Sequence, residues 1–158
     1  MSNDYPPLGL YFQVFFFEVK SKYSPDHDFW GFQSVSGLTS EVVTETYKEG
    51  GQKYGYELPV KTQYPNLVLK RGLWIPKEKM SDDGPKELLY WCQEMMESLI
   101  VRPTNIYIDL ISPSNTLLMS WMVYNAWPKK WTLSDFNAEE SQIVIETMEL
   151  HYDYFKLI

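Results

Sequence analysis

The apolar positions of the chain recur mainly at every second residue, which is the period of a β-strand. Residues 10–19, LYFQVFFFEV, are apolar at nearly every position and predict a strand that is covered on both faces. Residues 21–31 combine Pro, Asp, Gly and Ser, so we expect a loop there. Residues 32–35 and 38–47 return to extended patterns, and the second of them predicts a half-solvated strand.

A stretch punctuated by glycines separates these strands from the next one. We expect an extended arm over about residues 47–65, which rejoins a strand at residues 66–72. Gly50-Gly51 occurs in neither the GxGxxG nor the GxxxxGK spacing of phosphate-binding loops, so the pair is interpreted as a bend.

One amphipathic helix is predicted over about residues 84–100. Asp82, Asp83 and Pro85 provide a typical start, since acids favour the positive end of the helix dipole and proline fits the first turn. Acids occupy much of the helix surface, and the apolar residues that recur at helical spacing are Leu88, Trp91 or Cys92, Met95 and Leu99. This helix should lie on a sheet or at the end of a barrel.

The C-terminal half of the chain returns to β patterns. Residues 105–110 alternate cleanly between polar and apolar, and residues 112–115, SPSN, predict a turn. Residues 117–126 then predict the second strand of a hairpin, and we expect the pair Trp127-Pro128 to end it.

A last long strand is expected over residues 142–152. No repeat, low-complexity tract or linker divides the chain, so residues 1–158 are predicted to form one domain. The hydrophobic fraction of 44% and the aromatic fraction of 16% favour a packed protein rich in β-structure. The predicted fold class is therefore mainly β, a sheet or a barrel, with a single helix.

Net charge, cysteine content and the distribution of apolar residues make several classes of protein less favoured. A formal net charge of −7 disfavours a surface that grips the phosphates of nucleic acid. The single cysteine, Cys92, cannot form an internal disulfide, which suits the cytoplasm. The first residues lack the pattern of a signal peptide, and no apolar stretch is long enough to span a bilayer. We expect neither a membrane anchor nor specific nucleic-acid binding.

Candidate catalytic and metal-binding residues are few. Asp26-His27-Asp28 crowds metal-type ligands into the first loop, but a solvated turn is favoured because adjacent residues rarely converge on one ion. His151 lies among carboxylates in a strand, where an exposed polar row is favoured over a carboxylate–imidazole pair. Cys92 lies on the apolar side of the helix and is interpreted as a buried, inert thiol. We therefore predict no catalytic residue, no metal site and no cofactor, and expect that the protein is not an enzyme.

Two other features favour structure over ligand binding. Lys70 and Arg71 point to opposite faces of a regular strand, so ion pairs with the many acids are favoured over an anion-binding patch. A cluster of aromatic residues would suit a ligand pocket, but the core or an oligomer interface is the favoured interpretation for it: Trp121, Tyr124, Trp127 and Trp131.

Four stretches of the sequence, taken in order, resemble motifs of the phage tail-tube protein family. They are FQSVSGL at residues 32–38 with Glu45, Tyr47 and the EGG of residues 49–51, YPNLVLKRG at residues 64–72, NAWPKKW at residues 125–131, and IETMEL at residues 145–150. With the family's order and approximate spacing, they cover nearly the whole chain.

The resemblance implies a small antiparallel β-barrel with a flanking helix and an extended arm, similar to the tube protein of type VI secretion. Subunits of this family form six-membered rings that stack into the inner tube of a contractile injection system or phage-like tail. The implied partners are other copies of the chain, a sheath protein, baseplate and hub proteins, and luminal cargo. The implied location is assembly in the cytoplasm into a phage-like tail or an injection particle, including particles released outside the cell.

The resemblance also suggests roles for particular residues. An arm that projects from a ring can lie against the next ring, with aromatic anchors and a glycine bend. The expected contact residues between rings or subunits are Glu45, Tyr47, Glu49, Gly50, Gly51, Tyr54, Tyr56, Leu58, Lys70 and Arg71. The residues expected to form a rigid structural corner are Asn125, Trp127, Pro128 and Trp131.

Alternatives remain open from the sequence. The long loop at residues 21–30 and the aromatic end at residues 152–155 would also suit an initiator or adaptor ring that joins the tube to the baseplate. A different class of protein, a monomeric β-barrel that binds a small molecule, would use the aromatic cluster as its pocket.

Overall fold

The computed structural model of the chain describes residues 9–16, 30–73, 84–135 and 144–158. Within these ranges the chain forms ten strands and one helix. In chain order they are β1 (Tyr11–Phe16), β2 (Trp30–Phe32), β3 (Ser34–Ser36), β4 (Glu41–Tyr47), β5 (Tyr56–Gln63), β6 (Leu67–Leu73), α1 (Gly84–Ser98), β7 (Thr104–Ile111), β8 (Leu117–Leu133), β9 (Val144–His151) and β10 (Tyr154–Leu157).

The main sheet is antiparallel and has the strand order β2-β1-β7-β8-β9-β6-β3, with β10 also paired to β8. Its two end strands, β2 and β3, are consecutive in the chain and separated only by Gln33, whose backbone N–H donates to the Lys70 carbonyl at 2.9 Å. One short segment therefore pairs with β1 through its first half and with β6 through its second. The sheet curves back on itself as a barrel wall does, and the predicted mainly β fold with one helix is confirmed.

Strand β8 is the longest strand, and it corrects one prediction. The expected end at Trp127-Pro128 is wrong, because the strand continues to Leu133. A register shift between Pro128 and Lys130 marks a β-bulge, which accommodates a proline that cannot donate to the ladder. Up to Ala126 β8 pairs with β7 and β10, and from Trp127 onward, across the bulge, it pairs with β9.

Strands β9 and β10 lie end to end along β8, since both pair with it in antiparallel register; together they are called the β9–β10 line. The line is interrupted at Tyr152-Asp153, where the Asp153 N–H donates to the Tyr124 carbonyl at 3.0 Å. The predicted last strand is present from Val144 to His151, while residues 142–143 lie outside the described part of the chain.

The core lies inside the curved sheet and is closed by α1, which packs on β8. The helix confirms its predicted apolar face, because Leu88 and Cys92 are fully buried and the ring of Trp91 meets Phe16 edge to face at 5.6 Å. Its last residue is Ser98, and Leu99 follows in the left-handed conformation, with φ 57°. The prediction that Leu99 belongs to the apolar face is wrong, since Leu99 is exposed after the helix has ended.

The expected arm is the main difference from the prediction. Instead of a single extended segment, β4 and β5 pair with each other as an antiparallel hairpin, which forms a separate two-stranded sheet. The predicted half-solvated strand is its first half and is almost entirely exposed. At the other predicted loop, residues 30 and 31 belong to β2, and residues 21–29 lie outside the described ranges.

Candidate functional site

The exposed hairpin β4–β5 carries most of the residues expected at a contact between subunits. Tyr47 lies directly opposite Tyr56, and Glu45 lies opposite Leu58, so these four side chains share one face. Tyr47, Tyr56 and Leu58 are each more than half exposed, at 53, 58 and 52%. The hairpin therefore presents a compact apolar group, bordered by one carboxylate, to the surroundings of the subunit.

The opposite face of the hairpin is more polar. It pairs Thr46 with Glu57 and Thr44 with Pro59. Val60 has no partner, because it falls in the bulge between the pairs Thr44–Pro59 and Val43–Lys61. The two faces thus differ in chemistry, and only the first combines two opposed tyrosines with a leucine.

The turn that joins the two strands contains the predicted bend. Gly51 adopts the left-handed conformation, with φ 91°, and the Gln52 N–H donates to the Glu49 carbonyl at 3.1 Å. Gly50 takes no positive φ, and a side chain added there would meet nothing within 4 Å. The bend therefore depends on the second glycine of the pair. Tyr54 lies in the same connection and is strongly exposed.

Lys70 and Arg71 point to opposite faces of β6, as predicted, and their environments differ. The side chain of Lys70 is exposed, whereas that of Arg71 is buried. Arg71 forms an ion pair with Glu146 of β9 in its own subunit, and its guanidinium lies 5.5 Å from the ring centre of Phe32. Arg71 is therefore a structural residue of the barrel interior.

The residues expected to form a corner lie instead along the continuous strand β8. Asn125 adopts a left-handed conformation, with φ 55°, and its side-chain amide donates to Asp153 at 2.8 Å. Trp127 lies against His151, with ring centres 5.1 Å apart, and Pro128 is buried. Trp131 donates its indole N–H to Glu146 at 2.7 Å. Trp127 and Trp131 thus fasten β8 to β9, and Asn125 fastens it to the segment between β9 and β10, within a strand that does not end here.

Glu146 and Tyr152 are two important residues that the sequence analysis did not single out. Glu146 occupies a core-facing position in the alternation that continues with Met148 and Leu150, and Arg71 occupies the same kind of position after Leu67 and Leu69. Opposite charges at core-facing positions of two strands are a detectable signal for a buried ion pair. No comparable signal marks Tyr152, whose role depends on contacts distant in the sequence.

The described part of the chain holds no group of three or more His, Cys, Asp or Glu side chains that would bind a metal ion. Cys92 is buried as predicted, and burial, together with the nearby Glu146 carboxylate, raises the pKa of its thiol to about 12. A thiol in this state keeps its proton and is a poor nucleophile. Asp26, His27 and Asp28 lie outside the described residues.

A shallow pocket lies at the end of α1, and it does not contain the aromatic cluster considered from the sequence. Its lining residues are Trp91, Glu94, Met95, Ser98, Ile100 and Arg102. In the part of the chain that the structure describes, α1 is not long and apolar enough to cross a membrane.

Comparison with protein families decides the identity of this β-fold. The family model described as T4-like virus tail tube protein gp19 matches residues 11–156. The chain belongs to this family. Comparison of the sequence with curated proteins finds no match.

Solved structures agree with the tail-tube assignment. A chain of the PVC extracellular contractile injection system, in the sheath-tube complex in its extended state, is 25% identical, with a TM-score of 0.70 over 99% of this chain and 93% of that one. A chain of the anti-feeding prophage baseplate, six-fold symmetrised, is 22% identical, with a TM-score of 0.69 over 100% and 97%. Hcp1 from Salmonella typhimurium is 11% identical, with a TM-score of 0.53 over 90% and 81%, and shares the fold.

The family match and these similar structures confirm the resemblance to tail-tube proteins that the sequence motifs indicated, and they confirm the predicted fold. The chain is a tail-tube protein, and its function is that of a tube subunit. The family is one of structural tube proteins.

Proposed function

We propose that this tail-tube protein forms six-membered rings that stack into the hollow inner tube of a contractile injection particle, and that the hairpin β4–β5 makes the contact between rings. The observation that carries the role of the hairpin is the joint exposure of Tyr47, Tyr56 and Leu58 on one of its faces. Aromatic anchors of this kind are typical of protein interfaces.

The energetics favour burial of this face. Full burial of one large apolar side chain stabilises by roughly 1.5–3 kcal/mol relative to full exposure. Since each of the three side chains is about half exposed in the isolated subunit, about half of that gain remains available on contact. In a ring the same contact is repeated by every subunit, so individually weak contacts add up to a stable stack.

The geometry of the hairpin favours a stack that grows without limit. A hairpin on one subunit that binds a different surface of the next makes a head-to-tail contact, and such contacts build open filaments unless rotation closes them. Glu45 borders the apolar group and Glu49 lies in the exposed turn of the hairpin, and charges at the rim of a contact set its register more than its strength. Lys70, exposed on β6, has the same role in this proposal.

The proposed partners of the tube are a sheath protein that surrounds it, baseplate and hub proteins from which it grows, and cargo in its lumen. In this proposal the particle assembles in the cytoplasm before it acts. The likeness to a chain of the PVC sheath-tube complex supports the sheath, and the likeness to a chain of the anti-feeding prophage baseplate supports the baseplate.

Substitutions within the hairpin test the proposal. Tyr56→Ser and Leu58→Ser remove the apolar face, and Glu57→Ser is the matched control, since it introduces the same residue between them on the opposite face. Sedimentation velocity and negative-stain microscopy should show stacked tubes for the unmodified chain and for Glu57→Ser, but single rings or subunits for the other two. Stacking that is equal in all four proteins would overturn the role of the hairpin.

A deletion provides a second test. Removal of residues 48–55 would leave Tyr47 joined directly to Tyr56, so an Asn-Gly pair replaces them and closes a two-residue turn. Circular dichroism checks that this variant folds. We expect a folded protein that stacks more weakly, because the deletion removes Glu49 and the exposed Tyr54 but keeps the Tyr47, Tyr56 and Leu58 face; unchanged stacking would show that the turn takes no part in the contact.

A further inference from the structure

The direction of the hairpin is set where it joins the barrel. Strands β4 and β5 form their own two-stranded sheet, and two short connections, residues 37–40 and 64–66, link them to β3 and β6. A long, exposed hairpin on two flexible connections would sample many directions, and each direction lost on binding would cost free energy. The contacts made by the two connections therefore determine how narrow the range of hairpin directions is.

The two connections touch each other backbone to backbone at Gly37. This residue adopts the left-handed conformation, with φ 93°, and a Cβ added there would lie 2.0 Å from the Asn66 carbonyl oxygen. No side chain fits in such a gap. The entry and the exit of the hairpin are thereby held in contact.

Tyr152 ties this contact to the barrel wall. Its hydroxyl donates to the Gly37 carbonyl oxygen at 2.8 Å, and its side chain is only 2% exposed. It lies at the interruption between β9 and β10, both of which pair with β8. The hydrogen bond thus joins the base of the hairpin to the β9–β10 line, which pairs with β8.

Side chains of the exit connection are fixed to the same place. The ring of Tyr64 lies 5.9 Å from that of Tyr152 and 5.6 Å from that of Phe155. The side-chain amide of Asn66 donates to the Glu149 carboxylate at 2.8 Å. Both connections are therefore held by the β9–β10 line, one through a hydroxyl and the other through rings and an amide.

We propose that Tyr152 is a positioning residue, and that its hydrogen bond to the Gly37 carbonyl is a latch that fixes the direction of the hairpin. The latch presents the Tyr47, Tyr56 and Leu58 face in a preorganised position, so less conformational freedom is lost when the hairpin binds. This consequence for assembly rests on the proposed function, whereas the direction of the hairpin is a property of the single subunit.

The test is Tyr152→Phe, which keeps the ring and removes the hydroxyl. Spin labels at Thr44→Cys on the hairpin and Lys129→Cys on the barrel, both exposed positions, report the distance between the two parts of the full chain. Cys92 does not compete for the label, because its thiol is buried. Tyr154→Phe is the matched control, since it is the same chemical change two residues away, on a ring that stacks on Tyr124 at 4.5 Å.

We expect a narrow distance distribution in the unmodified chain and in Tyr154→Phe, and a broader one in Tyr152→Phe. The concentration needed for assembly should rise roughly fivefold in Tyr152→Phe, the factor that corresponds to one hydrogen bond of about 1 kcal/mol.

Two results would overturn the latch: a distribution in Tyr152→Phe that equals that of the unmodified chain, or a broad distribution in the unmodified chain itself. The second result is measured on the unmodified chain, so it does not depend on whether a variant folds. A broader distribution with unchanged assembly would overturn the effect on assembly alone. Failure of the unmodified chain to assemble would count against the proposed tube, while the distances in the single subunit would still decide the latch.

Discussion

Arg71 and Glu146 lie directly opposite each other on β6 and β9 and form an ion pair in the interior of the barrel. Both side chains are buried, and the other carboxylate oxygen of Glu146 accepts the indole N–H of Trp131 at 2.7 Å. The guanidinium of Arg71 also lies over the ring of Phe32. Each charge is therefore matched by a partner, which a buried charge requires.

Breaking this pair from one side should destabilise the subunit strongly. Arg71→Met leaves the Glu146 carboxylate buried without its cation, and we expect a loss of about 3–5 kcal/mol in the free energy of unfolding, measured by chemical denaturation. Arg102→Met is the matched control, because Arg102 and Glu94 pair at 2.7 Å on the surface, with both side chains more than half exposed. That change should cost less than about 1 kcal/mol.

The double variant Arg71→Met, Glu146→Leu completes this test. Removal of both charges should recover part of the stability lost in Arg71→Met, because no unpaired charge then remains buried while the Trp131 N–H loses its acceptor. Equal costs for Arg71→Met and Arg102→Met would contradict the structural role of the buried pair.

Three glycines should respond differently to alanine. Gly50→Ala should be nearly neutral, since the site is open and its φ is not positive. Gly51→Ala should cost about 1–2 kcal/mol, because alanine must adopt the left-handed conformation in otherwise open space. Gly37→Ala should cost most, because the conformation and the clash with the Asn66 carbonyl add together. Thermal unfolding of the three variants gives the order, and a neutral Gly37→Ala would contradict the described contact.

The free energy of unfolding should fall at alkaline pH, because two buried groups have raised pKa values in the folded chain. Burial raises the pKa of Cys92 from 9.0 to about 12 and that of Tyr152 from 10.0 to about 12. Because the unfolded chain releases these protons first, the contribution of each group is complete below its ordinary pKa and is lost as the pH rises towards 12. Denaturation curves between pH 7 and pH 11 should therefore show declining stability above about pH 9.

Cys92→Ala isolates the first group. The substitution changes packing by an amount that does not depend on pH, so the difference in stability between the two proteins should be constant below about pH 9 and shrink above it. A difference that stays constant up to pH 11 would show that the thiol does not keep its proton in the folded state.

The strands and helix that pack against the core were the most predictable parts of the fold. The alternation of Ile106 and Ile108 and the helical spacing of Leu88 and Cys92 predict buried faces, and the structure buries all four residues. Such patterns arise because the side chains on one face of the element are buried away from water. They therefore predict a strand or helix reliably wherever that element covers the core.

The hairpin was less predictable for the same physical reason. Strand β5 is exposed along its whole length, so no buried face imposes a pattern, and the long connection of residues 48–55 lacks the signature of a tight turn. The extent of β8 was also missed, because the bulge at Pro128 is a property of the paired strands and not of the local sequence. The contact between Tyr152 and Gly37 joins residues 115 positions apart, which local patterns cannot indicate.

The most direct test of tube formation is cryo-electron microscopy of the purified protein over a range of concentrations. We expect stacked six-fold rings around an open channel, with the Tyr47, Tyr56 and Leu58 face of each hairpin buried against the next ring. Tubes whose hairpins point into solvent would contradict the proposed contact, and particles that remain single subunits at every concentration would contradict self-assembly into a tube.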